Sequence, residues 1–555
     1  MIAAGRMSAL GGALLLSACA VGPDFHRPGA PDVQGYTDEP IAGTVAAPTA
    51  GGEAQHFDTG LEISQQWWSA FESRDIDELV QRVLAANPDL QAAQAALRAA
   101  LENVAAQRAA FFPTLSGSYS YSREQDSNTL APTLSSAVPV FSLNTAALSI
   151  SYSLDAFGLN RRQVESLQAS ADAQRFQMQA TYLTLVSNAV TAAIMQASAR
   201  AQLEATRQVI RAERNSLGIL QQQYQLGAIS MAQVSAQESA LAQQEALLPA
   251  LEQQVRVQHD LLAQLTGRFP SQMQPIELDL SMLSVPQQLP LSLPAQLVEQ
   301  RPDIREAEAQ LHAATAEVGV AIASMLPNIS LSADAGTVAT GLSQLMQPGT
   351  RYWSYGASLS QTLFDGGILI HKKRAAVALM DQAGAQYRST VLQAFRQVAD
   401  TLAALRADAK TLEAQARAER AAANSLAIVR QNLQLGSAGY LDLLIAEGLY
   451  DQAVVALAQA RAARLTDTVA LFQALGGAWW RATRCDAGAV PTAPASREPG
   501  RFSPLARSGA LNLDAPRLEF RALRDAHPQH AILQIGLDAV AFEFAAKRET
   551  ASIEG

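Results

Sequence analysis

Four short segments of the chain alternate apolar or aromatic residues with serine or another small residue. A period of two predicts β-strands with one apolar and one polar face, the pattern of a barrel wall between lipid and water. Each segment approaches the roughly ten residues that span a bilayer in a tilted strand. A soluble, half-buried sheet shares this alternation and stays open as an alternative. The segments are residues 115–121, 148–154, 329–333 and 353–359.

Two much longer segments, Leu159–Gln225 and Ile368–Gln434, contain no proline and little glycine, and their apolar residues recur at intervals of three and four. This spacing predicts amphipathic helices, each about 100 Å long at 1.5 Å per residue. Each segment ends at a Leu-Gly pair, where glycine suits the left-handed conformation that ends a helix. A shorter helix should return from each pair, giving two long hairpins. The return helices are predicted over residues 231–265 and 441–475.

The two halves of the chain are related by an internal duplication. Asn87-Pro88-Asp89-Leu90 aligns with Arg301-Pro302-Asp303-Ile304 at a spacing of 214, and Leu226-Gly227 aligns with Leu435-Gly436 at a spacing of 209. Each copy should hold a helix that ends at Pro113 or Pro327, then a strand pair and a helical hairpin. The helices before those prolines, of roughly 25 to 35 residues, have the length to stack end on against the return helices.

The first residues are typical of a secretory signal. Arg6 supplies the positive charge, an apolar run follows over residues 10–16, and Leu16-Ser17-Ala18-Cys19 resembles a bacterial lipobox. That resemblance implies cleavage before Cys19 and diacylation of its thiol, so a covalent lipid is expected and no cofactor. An ordinary signal with an incidental cysteine is the alternative. Cys485 is the second of two cysteines, which excludes an intramolecular disulfide if Cys19 is acylated.

These features divide the chain into six parts. The linker is rich in proline and should pack around the waist of the molecule, in its equatorial region. The tail lacks sustained periodicity over most of its length and is predicted to be largely disordered and periplasmic. The parts are a signal peptide (1–18), a lipidated tether (19–64), the first repeat (65–267), the linker (268–296), the second repeat (297–480) and the tail (481–555).

The composition and the number of strands exclude some classes of function and indicate an oligomer. A net charge of −10 argues against nucleic-acid binding, which needs a concentrated basic face. Four strands cannot close a barrel, and an open sheet edge in lipid leaves backbone groups unsatisfied. Several chains must therefore combine their strands. Two chains give a barrel filled by side chains, whereas three give twelve strands and room for water. The strands alone do not determine the number of chains. The helices are rich in Ala and carry Gln and Ser, which favours a hollow cylinder with water on both faces.

Several motifs together resemble the TolC/OprM-like outer-membrane factor family, in its lipoprotein branch. The resemblance covers roughly residues 19–480. It implies an α+β membrane protein: a homotrimer with a twelve-stranded transmembrane β-barrel, four strands per chain, continued by a long periplasmic α-helical barrel, docked to a periplasmic adaptor and an RND-type inner-membrane transporter. The motifs are Trp67-Trp68, Asn87-Pro88-Asp89-Leu90, Arg301-Pro302-Asp303-Ile304, Leu326-Pro327-Asn328-Ile329, Leu363-Phe364-Asp365-Gly366-Gly367 and Leu475-Gly476-Gly477.

The resemblance also implies two kinds of site. The hairpin tips would meet the adaptor, while their glycines also cap helices. The segment 441–446 resembles the constricting gate, with Asp442 at its first acidic position and Ile445 at its second. An apolar ring near Leu441 is expected, and Asp442 could instead be an exposed carboxylate at a helix N-terminus. The tip residues are Leu226, Gly227, Ser230, Leu435, Gly436 and Ser437, and the gate residues are Leu441, Asp442 and Ile445.

The chemistry of an enzyme is not indicated. His527 and His530 lack further metal ligands nearby and are interpreted as solvated tail residues. The sequence therefore predicts a passive exit duct of a tripartite efflux pump for small molecules, lipid-anchored in the bacterial outer membrane. The alternatives are a protein-secretion duct and an acylated coiled-coil spacer that conducts nothing. The sequence does not identify the cargo or the particular adaptor and pump.

Overall fold

The structure is a computed structural model that describes residues 20–33, 35–38, 42–125, 140–274 and 276–477. Two very long helices and a four-stranded sheet dominate this part of the chain. The helices are α1 Arg74–Ala86, α2 Pro88–Arg108, α3 Leu159–Gln225, α4 Met231–Glu245, α5 Leu248–Leu265, α6 Pro294–Gln300, α7 Pro302–Ala323, α8 Ile368–Gln434 and α9 Tyr440–Ala474. The strands are β1 His56–Asp58, β2 Thr114–Gln125, β3 Val140–Leu154, β4 Gln288–Pro290, β5 Asn328–Ala339 and β6 Arg351–Ser360.

The four long strands form one antiparallel sheet in the order β2-β3-β5-β6. The predicted alternation is confirmed by the register of residues 329–335, where successive rows of paired residues across the sheet are alternately apolar and mostly polar. One apolar row is Leu115, Ile150, Ala333 and Tyr355, and the adjacent polar row is Ser116, Ser149, Asp334 and Ser354. Strands β2 and β6 each pair on one side in the described chain, so the sheet has two open edges.

The two long helices have the predicted bounds and equal lengths of 67 residues. Both begin after a glycine in the left-handed region, Gly158 with φ 81° and Gly367 with φ 93°. Both also end before one, since Gly227 and Gly436 share φ 74°. A side chain disfavours this conformation, so the glycines set where each helix begins and ends.

The predicted end-on stacking is confirmed in both repeats. Asn87, which caps the N-terminus of α2, donates from Nδ2 to the last carbonyl of α5 at Leu265, over 2.9 Å. At the equivalent place Arg301, before α7, donates from Nη1 to the last carbonyl of α9 at Ala474, over 2.8 Å. The last carbonyl groups of a helix have no hydrogen-bond donors within their own helix. The side chains of Asn87 and Arg301 provide these donors. Helices α2 and α7 contain 21 and 22 residues, shorter than predicted. After α2, Ala109–Phe111 form a 3-10 helix, and after α7, residues 324–326 leave the α-helix before Pro327.

The first return helix was predicted as one element over 231–265, and this is wrong. It is divided into α4 and α5, with a break at Ala246 and Leu247. Pro249 explains the division, because proline lacks an N–H and its ring clashes with the carbonyl four residues earlier, which belongs to Glu245. The second return helix carries no proline and is continuous from Tyr440 to Ala474.

The main core lies where the end-on stacks meet. Trp67 stacks on Phe472 with ring centroids 5.2 Å apart, and both side chains are buried. The connection between the repeats adds a series of buried apolar residues, and its strand β4 pairs in parallel with β1. The linker thus packs against this core. Its buried apolar residues are Met273, Ile276, Leu278, Leu280, Leu283, Val285 and Leu289.

The segment before α1 has little regular structure, as predicted, but it is packed against the body along its length. Arg162, on α3, donates to the backbone carbonyl of Val21 over 3.1 Å and pairs with Asp24 over 2.7 Å. Further along, the fully buried Arg464 of α9 bonds Gln55 and the carbonyl of Gly51. Two guanidinium groups therefore fix the path of this segment.

Candidate channel wall, tips and gate

The two faces of the sheet differ in chemistry. On the apolar face Leu115 is 68% and Tyr355 is 80% exposed in the single chain. On the other face Asp334 accepts hydrogen bonds from Ser149, over 2.5 Å, and from Ser354, over 3.4 Å. A face of exposed aromatic and aliphatic side chains is compatible with contact to lipid, whereas a face rich in hydroxyl groups is compatible with contact to water.

The predicted tip residues lie at the ends of the two hairpins and have equivalent conformations. The N–H of Ala228 donates to the carbonyl of Gln223 over 2.9 Å, and the N–H of Ser437 donates to that of Asn432 over 2.9 Å. Leu226 and Leu435 are 84% and 73% exposed. Of the other predicted residues, Gly227 and Gly436 adopt the left-handed turn, Ser437 Oγ bonds the Asn432 carbonyl, and the N–H of Ser230 donates to Gln233 Oε1.

The predicted gate residues share one exposed face at the start of α9. Leu441 and Ile445 are one turn apart and both exposed. Asp442 is exposed as well, and its Oδ2 accepts a hydrogen bond from the N–H of Gly439 over 2.8 Å. One carboxylate oxygen thus caps the helix, as the alternative interpretation expected, while the face remains free to meet a neighbouring chain.

A contact between the two hairpins lies beside the predicted gate residues, and no pattern in the sequence predicts it. Tyr440 Oη donates to Gln237 Oε1 over 3.0 Å, and the amide nitrogen of Gln237 donates to the backbone carbonyl of Glu213 over 3.1 Å. Gln237 is completely buried. Burial and the nearby carboxylates Glu447 and Glu213 raise the pKa of Tyr440 to about 12, so the hydroxyl keeps its proton.

Arg430 and Glu447 join α8 to α9 close to the same tip. Their ion pair measures 3.1 Å, and the Glu447 side chain is 8% exposed. The sequence pattern could have predicted this ion pair, because Glu447 lies four residues after the buried Leu443, on the inward-facing side of α9. A carboxylate on such a stripe needs a partner.

The beginning of the described chain lies at the junction between sheet and helix. The N–H of Val21 donates to the carbonyl of Phe157 over 3.2 Å, three residues beyond the end of β3. A Cβ on Gly158 would come within 2.7 Å of Ala20. Cys19 itself lies outside the described residues, but its neighbour is at the sheet end of α3.

The described helices and metal-ligating side chains bear on two further possibilities, a membrane-spanning helix and a metal site. No helix in the described ranges is both long and apolar enough to cross a membrane. Within the same ranges, His, Cys, Asp and Glu do not gather into a group that could hold a metal ion. The tail histidines His527 and His530 lie outside the described part of the chain.

A four-stranded sheet with a lipid-compatible face, continued by two helical hairpins whose longer helices have 67 residues each, defines a class of outer-membrane channel proteins that extend into the periplasm. The sequence model described as outer membrane efflux protein matches residues 79–268 and 293–477. The chain belongs to the outer membrane efflux protein family, as its motifs predicted.

Individual relatives agree with this assignment. The chain is 28% identical over 479 residues to the probable efflux pump outer membrane protein TtgC of Pseudomonas putida, which covers 85% of this chain and 95% of the relative. It is 30% identical over 490 residues to the outer membrane protein OprJ of Pseudomonas aeruginosa, covering 85% and 96%. Among solved structures, the outer-membrane channel OprN matches with a TM-score of 0.73 at 27% identity, covering 83% of this chain and all of that one.

Proposed function

We propose that three copies of the chain form a conducting duct, the passive exit of a tripartite efflux pump for small molecules. The open edges of the sheet carry this proposal. Strands β2 and β6 leave backbone groups unpaired, which is costly in lipid, and neighbouring copies can pair them. Three copies give twelve strands, enough for a water-filled lumen lined by the serine-rich face. The two ranges matched by the family model support a division into repeats at 65–267 and 297–480, separated by the linker 268–296.

Two measurements test the duct. Membrane-extracted protein should migrate as a trimer on a gel when unheated and as a monomer after boiling. The same preparation should conduct ions in planar bilayers. A trimer that conducts in no gating state would favour the non-conducting spacer, and a soluble monomer after removal of acyl chains would overturn the proposal.

We propose that the hairpin tips bind the periplasmic adaptor, through which the duct connects to an inner-membrane transporter of the RND type. Leu226 and Leu435 support this, because exposed leucines at symmetric turns offer apolar anchors to a partner. Photocrosslinkers placed at the two leucines in cells should capture a periplasmic partner. Met346, equally exposed in the β5–β6 loop at the far end of the sheet, is the control and should capture none.

We propose that Leu441, Asp442 and Ile445 line the closed periplasmic end. Three copies of the exposed face would bring apolar side chains together and exclude water. Replacing Leu441 or Ile445 by Asn should raise basal conductance in planar bilayers. Ile428→Asn, exposed on α8 of the same hairpin, is the control. Conductance that rises equally in all three variants would place the constriction elsewhere.

We propose that Cys19 carries the lipid anchor. The position of Ala20 beside Gly158, at the sheet end of α3, supports this because acyl chains there could enter the periplasmic leaflet. Cys19→Ser should abolish labelling by radioactive palmitate, whereas Cys485→Ser should leave labelling unchanged. Persistence of the label in Cys19→Ser would overturn the assignment.

A further inference from the structure

A cavity of about 630 Å³ lies between the two helical hairpins of one chain, one to several turns above the tips. Helices α3, α8 and α9 form its walls, together with the break between α4 and α5, which contributes Leu247. Much of the lining is apolar. A cavity of this size that combines apolar side chains with carboxylates and four glutamines can hold a small molecule. The apolar lining includes Val209, Leu247, Leu426, Val454 and Val455.

Three carboxylates from two hairpins line this cavity: Glu213 of α3, and Glu447 and Asp451 of α9. Glu213 is 4% exposed and Glu447 6%. In the described chain, one buried oxygen of each carboxylate, Glu213 Oε2, Glu447 Oε2 and Asp451 Oδ2, has no hydrogen-bond partner. Buried polar atoms in native proteins nearly always have partners, so three such oxygens in one cavity point to a missing donor.

The charges that face the cavity do not balance. Arg430 of α8 pairs with the other oxygen of Glu447, and its side chain is half exposed. Glu245, at the end of α4, adds a further carboxylate nearby, but Arg214 binds it over 2.6 Å. The hydroxyl of Tyr440 is engaged by Gln237. Within the described ranges, Glu213 and Asp451 are thus left without a cation of their own.

We propose that this cavity binds a primary organic ammonium ion. An ammonium group carries a positive charge and three N–H donors, which suits a cavity lined by three carboxylates. Its apolar substituent lies against Leu247 and Val454. A bound cation would join α3 of the first hairpin to α9 of the second, beside the contact between Tyr440 and Gln237.

The titration of the cluster supports this assignment. Burial, followed by repulsion from Glu447 and Glu245, raises the pKa of Glu213 to about 7. Burial and repulsion from Glu213 and Glu447 raise the pKa of Asp451 to about 7 as well, against the opposing effect of Arg430. Without a ligand, a proton neutralises these groups at mildly acid pH. An ammonium ion replaces that proton, so its affinity should increase as the pH rises from 6 to 8.

The probe is 4-fluorobenzylammonium, titrated with the purified full-length protein in nonionic detergent and followed by fluorine NMR line broadening. The neutral isostere 4-fluorobenzyl alcohol measures partition into detergent and apolar contact alone. We expect the ammonium to bind at least about tenfold more tightly than the alcohol at pH 8, because the alcohol carries no charge and offers one O–H donor where the ammonium offers three N–H donors. Equal affinities would overturn the proposal.

Variants locate the site. The double variant Glu213→Gln with Asp451→Asn keeps side-chain volume and should weaken ammonium binding about tenfold or more. Glu238→Gln, an exposed glutamate on α4, is the matched control and should change nothing. Leu247→Trp fills the cavity without removing charge and should also abolish binding, which keeps the test available if the double variant folds poorly. Unchanged binding in the double variant or in Leu247→Trp would overturn the assignment.

One chain builds this cavity, so the inference goes beyond the proposed duct and does not depend on it. Conductance and ligand binding are measured on the same preparation. Lost conductance with retained binding would overturn the duct alone, and lost binding with retained conductance would overturn the ligand site alone.

Discussion

Tyr440 and Gln237 join the two helical hairpins of one chain through a side-chain hydrogen bond of 3.0 Å. Ser216 is a second hydrogen-bond partner of the same hydroxyl. Tyr440 directly precedes Leu441 and Asp442, so this contact lies next to the proposed gate. On that proposal, the spacing of the hairpins affects the position of the gate.

Tyr440→Phe should favour parting of the hairpins. The substitution leaves the Oε1 atom of the buried Gln237 without a donor, which costs about 1 to 3 kcal/mol. A shift of about 1.4 kcal/mol changes an equilibrium tenfold, so the open probability in planar bilayers should rise about tenfold. Tyr224→Phe, on a half-exposed tyrosine near the first tip, is the control. An open probability unchanged from the parent would show that the hydrogen bond does not restrain the gate.

Asn87→Ala should weaken the end-on stack of the first repeat. Asn87 is buried, donates to the Leu265 carbonyl, and accepts from the N–H groups of Asp89 and Leu90. Loss of a cap and an unsatisfied carbonyl together should cost about 2 kcal/mol. The measurement is the midpoint of chemical unfolding followed by circular dichroism. Gln91→Ala, exposed on the same helix, should leave the midpoint nearly unchanged, and a similar loss in both variants would contradict the prediction.

The stability of the protein should rise as the pH falls from 8 toward 5. The folded-state pKa of Glu213 and of Asp451, about 7, lies above the ordinary values of 4.5 and 3.8. Between those values the folded chain binds protons that the unfolded chain does not, so lowering the pH favours the folded state. Thermal midpoints at pH 5 to 8 check this. The double variant Glu213→Gln with Asp451→Asn should show a flatter dependence, and Glu238→Gln should retain the parent slope.

Gly436→Ala should disturb the second tip through its backbone alone. A Cβ at Gly436 meets no atom of the described residues within 4 Å, but φ is +74°, where a side chain costs about 1 kcal/mol. We expect reduced crosslinking from position 435 to the adaptor, with the trimer intact on the gel. Gly448→Ala, also with open space but inside α9, is the control and should crosslink normally. Equal loss in both would point to a general fault in folding.

The sequence predicted those features that local residues determine. The bounds of α3 and α8 follow from glycines at both ends of uninterrupted periodic segments, and the strands follow from their period of two. The duplication made the end-on stacks predictable, since Asn87 and Arg301 occupy equivalent positions before two equivalent helices. The break between α4 and α5 could also have been predicted, because the clash of the Pro249 ring with the carbonyl of Glu245 is a local constraint.

Features that depend on distant segments were not predictable in this way. The contact of Tyr440 with Gln237 joins residues 203 positions apart. Glu213 could be recognised as buried only once α9 was placed beside α3. The fixed path of the N-terminal segment depends on Arg162 and Arg464, whose partners lie in a region without periodicity. Whether the tips and the gate act as proposed depends on other chains, which a single sequence does not contain.

The equal length of α3 and α8 constrains how such a chain can change. Removing eleven residues, about three turns, from one long helix would draw its hairpin back by roughly 16 Å and leave the other protruding. In the proposed trimer, long and short hairpins would then alternate around the periplasmic end, and the proposed adaptor could not contact all of their tips at one level. A change in the length of the long helices that keeps all hairpin tips at one level must therefore occur equally in both repeats, and by whole helical turns.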